Sequence, residues 1–202
     1  IVISKYLEKY YSKSRNILRL PPLIDSKEDK WRITNKVDKR PDILHIVYAG
    51  SPGNKDNFTI LLKMIAKYHC NIHFSIIGIT ENEYIKEHDD MIMIINNIKN
   101  KIKFLGKYDH LSTIKIIKDA DCIFFFRENN RVTKAGFPTK FVESISCHVP
   151  VLTNKNSDLE EYIYNNVNGI FVRDENELYE SYEKIKEIQV NNMEFEYTRY
   201  LS

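Results

Sequence analysis

The stretch Ile43-Leu44-His45-Ile46-Val47-Tyr48-Ala49-Gly50-Ser51-Pro52-Gly53-Asn54-Lys55-Asp56-Asn57 passes from an almost unbroken apolar run into a glycine-containing turn. A run of this kind suits a strand covered on both faces. Beyond the turn, Phe58, Leu61, Leu62 and Ile65 recur at helical spacing, which predicts a helix over Asn57–His69. Strand, glycine turn and helix together open a β–α unit, and the same alternation repeats to the end of the chain. Strands are predicted at Ile72–Ile77, Ile102–Leu105, Cys122–Phe126, Val149–Thr153 and Gly169–Val172. Thr80 and Glu83 form a capping box for a long helix reaching about Lys99, and Asp109 caps a helix to Asp119. Pro138 suits the first turn of a helix to Cys147. Ser157 and Glu160 read as a second capping box over Ser157–Tyr164, and Asp174 caps a last helix to about Ile188. Repeated right-handed β–α units give an α/β fold, a doubly wound, six-stranded parallel Rossmann-like sheet.

Of the chain's 6 glycines, Gly50, Gly53, Gly78 and Gly106 lie at or just beyond a predicted strand end, and Gly136 lies between the run Cys122–Phe126 and the next helix. Ligands of open α/β sheets bind at the carboxyl ends of the strands, and glycine allows the backbone to approach them closely. The glycine distribution therefore marks that edge of the sheet as a binding edge.

Composition narrows the classes. The 202 residues carry 29% charged and 43% hydrophobic side chains with a net charge of +2, an ordinary globular mixture that gives no reason to expect nucleic acid. No apolar run approaches the about 20 residues of a transmembrane helix, and no signal-peptide pattern opens the chain. Cys70, Cys122 and Cys147 are widely spaced, without a C-x-x-C, and read as reduced thiols of a cytoplasmic protein. The first residue is Ile1, so the chain is expected to be part of a larger protein. Residues 1–40 differ from the rest: Ile3–Tyr11 has a helical pattern, Ile17–Leu20 is extended, and Pro21–Pro41 is a polar linker. The α/β unit is expected over residues 41–190, followed by an aromatic-rich tail, Asn191–Ser202.

Two segments could carry chemistry. Gly50, Ser51, Gly53 and Lys55 form a strand-to-helix loop that can offer backbone N–H groups and a cation to an anion, although its spacing is not G-x-G-x-x-G. The plain alternative is a surface turn with a solvated lysine. The second segment, Arg127-Glu128-Asn129-Asn130-Arg131-Val132-Thr133-Lys134-Ala135-Gly136-Phe137-Pro138-Thr139-Lys140-Phe141-Val142-Glu143, is long for a connection of this type. It holds Arg127, Arg131, Lys134 and Lys140 close to a helix start, where Thr139 and Lys140 keep free amides; this is the chemistry a diphosphate requires. Glu143, one turn into the helix, can accept two sugar hydroxyls. His69 and His73 do not share a helix face and no nucleophile elbow is present, so no metal site and no covalent nucleophile are expected.

Taken in order, these residues resemble the C-terminal, donor-binding domain of GT-B fold glycosyltransferases, in the large retaining group 1 (family four) type. The resemblance runs from Ile1 to about Ile188. The Ala49–Lys55 loop is similar to that family's phosphate loop, and Ile102-Lys103-Phe104-Leu105-Gly106 to its strand beside the nucleotide base. Ala135–Glu143 with Val149–Thr153 resembles its glutamate–seven residues–glutamate helix and next strand. Ser157–Tyr162 with Asn168-Gly169 resembles the following helix and turn. Two positions depart from the pattern: Ala135 stands where the family has glutamate, and Ser51 where it has arginine.

The resemblance implies a nucleotide-diphosphate sugar donor, UDP- or GDP-linked, with no required cofactor or metal. It also implies transfer with retention to a glycan or lipid-linked acceptor held by a missing N-terminal domain, of which Ile1–Asp25 would be the end and crossover. Peripheral contact with the inner face of the membrane is open to such a protein. Gly50, Ser51, Gly53, Lys55, Arg127, Gly136, Phe137, Pro138, Thr139, Lys140 and Glu143 would bind the donor. Arg127, Arg131 or Lys134 would supply the charge that Ser51 lacks, and Arg131 and Lys134 would be the catalytic residues. A GT-B nucleotide-sugar epimerase and a non-catalytic nucleotide-sugar binding module are the alternatives.

Overall fold

The computed structural model describes residues 1–13, 16–25, 27–32, 42–53 and 55–188. The chain builds α1 (Lys5–Tyr10), β1 (Leu44–Ala49), β2 (Asp56–Asn57), α2 (Thr59–Tyr68), β3 (Ile72–Ile77), α3 (Glu81–Glu87), α4 (Ile92–Asn97) and β4 (Ile102–Gly106). It continues with α5 (His110–Asp119), β5 (Cys122–Arg127), α6 (Arg131–Ala135), α7 (Thr139–Ser146), β6 (Val151–Thr153), β7 (Gly169–Phe171) and α8 (Glu175–Tyr182). The sheet order is β4-β3-β1-β5-β6-β7, every neighbouring pair parallel. Strand order reverses between β1 and β5, and a ligand crevice opens outside the carboxyl ends of the strands at such a point. The expected six parallel strands are present. The short β2 adds a seventh, pairing antiparallel with the end of β5.

The central strands are covered on both faces. Leu44, Ile46, Val47, Tyr48, Phe74, Phe124 and Phe125 are fully buried. Phe58, just before α2, meets Tyr48 edge-on at 4.8 Å and stacks on Tyr84 at 4.7 Å. Burying an aromatic ring of this size contributes roughly 1.5–3 kcal/mol. These contacts fix where α2 starts, immediately beyond the loop that closes β1.

Several local expectations hold. Thr80 and Glu83 form the reciprocal capping box, Asp109 accepts from Ser112 N, and Asp174 accepts from Asn176 N and Glu177 N. Others are corrected. The helix expected from Asn57 starts at Thr59, because Asn57 is spent in β2. The single helix expected from Thr80 to about Lys99 is two, separated at His88 and a 3₁₀ turn over Asp89–Met91 that buries Met91. Ser157 does not cap a helix. Its φ is +52°, its hydroxyl donates to Gly136 O at 2.5 Å, and only a 3₁₀ turn over Leu159–Glu161 follows. The long connection after β5 contains α6, capped by Asn130, whose side chain accepts from Thr133 N while Asn130 N donates to Thr133 Oγ1.

The first residues pack on this connection. Val2 bridges Arg19, and Ser4 Oγ donates to Ala135 O at 2.8 Å. Arg19 binds Asp158 at 2.6 Å and Glu161 at 3.1 Å. These carboxylates hold the Arg19 guanidinium in its charged form, and Arg19 in turn holds the Glu161 carboxyl below the usual range. Residues 33–41 of the linker expected at Pro21–Pro41 and the tail Asn191–Ser202 lie outside the described residues.

Candidate functional site

Three strands end in glycines with positive φ at one edge of the sheet: Gly50 (+137°), Gly78 (+111°) and Gly106 (+70°). Gly50 N donates to Ile77 O at 2.9 Å, and Gly78 N to Gly106 O at 2.7 Å. A methyl group on Gly78 would lie 2.2 Å from Gly50 O, so the backbone itself excludes any side chain there. A cleft of about 280 Å³ lies at the end of β5, bordered by the loop after β1 and the start of α7.

Lys55, Arg127, Gly136, Phe137, Pro138, Thr139 and Lys140 line the cleft, joined by Asp56, Ile3 and Val132. Arg127 is the last residue of β5. Its backbone is clamped by Asn154, which accepts from Arg127 N and donates to Arg127 O, both at 2.8 Å. The residue is 5% exposed, and its Nε and Nη1 groups have no hydrogen-bond partner. Burial pushes its pKa down, opposed by the charge of Asp56. A buried guanidinium with vacant donors is costly unless an anion completes it.

Lys140, in the first turn of α7, reaches back across the cleft. Its Nζ lies 2.5 Å from Asp56 Oδ2 and 5.1 Å from the centre of the Tyr48 ring. Burial and the neighbouring Asp56 carboxylate raise the Tyr48 phenol, which stays protonated. Asp56 is held in place because β2 sets it opposite Arg127, while its carbonyl accepts from Gly53 N at 3.0 Å.

The other expected residues fall elsewhere. Gly50 lies beneath Lys140, whereas Ser51 and Gly53 are exposed on the loop. Glu143 accepts from His110 Nε2 at 3.2 Å, one helical turn from Lys140. Arg131 and Lys134 do not line the cleft. Arg131 Nε donates to Tyr6 Oη at 3.1 Å on α1, and Lys134 borders a separate hollow with Lys5 and Lys155. Forming α6 turns both side chains away. Asp56, Tyr48 and His110 were not anticipated. Asp56 stands beside Lys55 in the quoted loop, but nothing in its neighbourhood announces a partner at Lys140. All three cysteines are buried and none forms a disulfide, and burial pushes the Cys147 thiol up to about 12, which removes it as a thiolate nucleophile. Among the described residues, no group of three or more His, Cys, Asp or Glu side chains could hold a metal, and no helix is long and apolar enough to cross a membrane.

Residues 43–188 match the family model for glycosyl transferases group 1, and the chain belongs to that family. Its sheet is the Rossmann-like half of a GT-B fold. It is similar to a glycosyltransferase from Rickettsia africae (15% identity, TM-score 0.69) over 91% of this chain and 52% of that one. It is also similar to sucrose-phosphate synthase from Thermosynechococcus elongatus (16%, TM-score 0.66), covering 91% of this chain and 48% of the other. A third likeness is to TarM of S. aureus, solved with UDP and α-GlcNAc-glycerol (18%, TM-score 0.61), over 95% of this chain and 36% of that protein. The chain spans about half or less of the length of these three. No curated protein matches it in sequence.

Proposed function

We propose that this chain is the donor-binding half of a glycosyltransferase that takes a UDP- or GDP-sugar and transfers the glycosyl group with retention. The observation that carries the reading is Arg127: a buried guanidinium with two vacant N–H groups, beside Lys140 and Lys55 at the strand-order reversal. A diphosphate placed there would complete those donors. The free amides of Thr139 and Lys140 at the start of α7 add to the same field. Glu143, one turn on, would accept the ribose hydroxyls, with His110 holding its carboxylate in place. As the glycosidic bond breaks, charge accumulates on the leaving diphosphate. Arg127, Lys140 and Lys55 would stabilise it there, a preorganised electrostatic contribution to the rate.

In this reading Arg127 supplies the cation that Ser51 lacks, and Arg131 and Lys134, outside the cleft, take no direct part in holding the diphosphate. The acceptor, a glycan or lipid-linked glycan, would be held by a further N-terminal domain, so this chain alone would bind donor without turnover. A cytoplasmic location with peripheral membrane contact fits that chemistry. Titration with UDP, GDP and ADP by thermal shift or NMR tests the reading: a response to at least one supports it, and none to any overturns it.

Ala135 favours a second reading, a non-catalytic nucleotide-sugar binding module. Its side chain brings no carboxylate to the transferred sugar, and its carbonyl is occupied by Ser4 Oγ. Glycosyl transfer by the longer protein with a matched donor and acceptor separates the two.

A further inference from the structure

The cleft holds three cations, Lys55, Arg127 and Lys140, and one carboxylate, Asp56. The carboxylate works against the binding of any anion, yet it is among the best-fixed side chains of the site. Asp56 is 7% exposed, pinned opposite Arg127 by β2, and bonded to Lys140. Buried this way, its charge is little screened by salt.

We propose that Asp56 sets which form of the diphosphate the cleft prefers, lowering its hold on free nucleoside diphosphate relative to the sugar-linked donor. This rests on the donor-site reading above. With Asp56 ionised, the formal charge of the lining is +2. A diphosphate substituted at both ends carries two negative charges, and the two sets balance. Release of the sugar exposes a terminal phosphate, whose second ionisation lies near pH 6, so the free diphosphate carries close to a third charge at neutral pH. That additional charge meets the fixed carboxylate, which favours departure of the leaving group once transfer is complete. Asp56 is therefore a specificity residue of the donor site. If its only role were to hold Lys140, its removal would change the affinity of both ligands alike.

A unit charge about 6 Å away changes binding about threefold in bulk water and about a hundredfold at an effective dielectric of about 20. The test is calorimetric titration of this chain and its variants with UDP against UDP-glucose and with GDP against GDP-mannose. Asp56→Asn is expected to tighten the free diphosphate about tenfold more than the sugar nucleotide. Asp56→Glu, which keeps the charge, is expected to leave that ratio within about twofold. Asp56→Ser serves as a second neutral variant in case the asparagine disturbs folding. An unchanged ratio in the neutral variants overturns the role of Asp56 while wild-type binding upholds the donor site. Failure of the wild-type chain to bind any of the four ligands overturns the donor site and this inference with it.

Discussion

The Lys140 ammonium lies 2.5 Å from Asp56 Oδ2 and directly above Gly50, where a methyl group would come within 2.7 Å of Nζ. The missing side chain at position 50 is what lets a lysine from α7 enter the crevice at the end of β1. A cation delivered by one element is thus seated by a glycine of another, 90 residues earlier in the sequence.

Two glycine substitutions should separate site geometry from stability. Gly50→Ala strains a φ of +137° and meets only the mobile end of Lys140. It is expected to cost roughly 1–3 kcal/mol and to weaken pyrophosphate binding by displacing the ammonium. Gly78→Ala meets backbone, at 2.2 Å from Gly50 O, and should cost about 3 kcal/mol or more. Urea unfolding of both variants checks the order, and equal losses would contradict it.

Arg127→Met should raise the stability of the ligand-free chain while removing diphosphate binding. Leaving the guanidinium donors unpaired in a buried site costs about 1–3 kcal/mol, a cost methionine does not carry. A thermal scan with and without UDP is expected to show a higher ligand-free midpoint and no UDP-induced rise. The paired variant Arg131→Ala, Lys134→Ala provides the comparison. With both side chains directed away from the cleft, it should retain most of the UDP response.

Glu143→Gln should weaken nucleoside diphosphate by about 1.5–3 kcal/mol and leave inorganic pyrophosphate unaffected, because it removes a charged acceptor placed for the ribose. Parallel titrations of UDP and pyrophosphate check this. Equal losses would show that Glu143 acts through its bond to His110 and the packing of α7 on α5.

Acid sensitivity should have a component from His45. Its Nε2 meets Ser75 Oγ at 2.9 Å, its ring lies 5.3 Å from that of His73, and the Asp119 carbonyl and Asp121 are adjacent. Burial, the largest influence, holds its pKa below the ordinary 6.5. The unfolded chain then binds the extra proton first, so stability is full above the unfolded value and falls as the pH drops from there toward the folded value. His45→Gln is expected to flatten the unfolding free energy between about pH 7.5 and about pH 5.5. An unchanged slope would contradict the assignment.

The six strands and their parallel arrangement were legible in the sequence because their causes are local. A strand covered on both faces needs a continuous apolar run, as in Cys122–Phe126, and a strand end that turns with positive φ favours glycine, as at Gly50, Gly78 and Gly106. The caps at Thr80, Asp109 and Asp174 were legible for the same reason, since each acts within three residues. Ser157 shows the limit of that logic. Its sequence context is a capping box, but its hydroxyl is claimed by Gly136 O, which only the folded chain brings near.

Which cation enters the site was decided by the tertiary structure. Arg127, Arg131, Lys134 and Lys140 are equivalent in a linear reading of one basic segment. Folding buries the first at the end of β5, turns the second and third outward on α6, and sends the fourth across Gly50 to Asp56. The Lys140–Asp56 pair spans 84 residues, and neither residue carries a local sign of the other. Short-range sterics and hydrophobic periodicity are written along the chain. The partner of a charge depends on distances that exist only once the sheet has closed and its helices have packed on it.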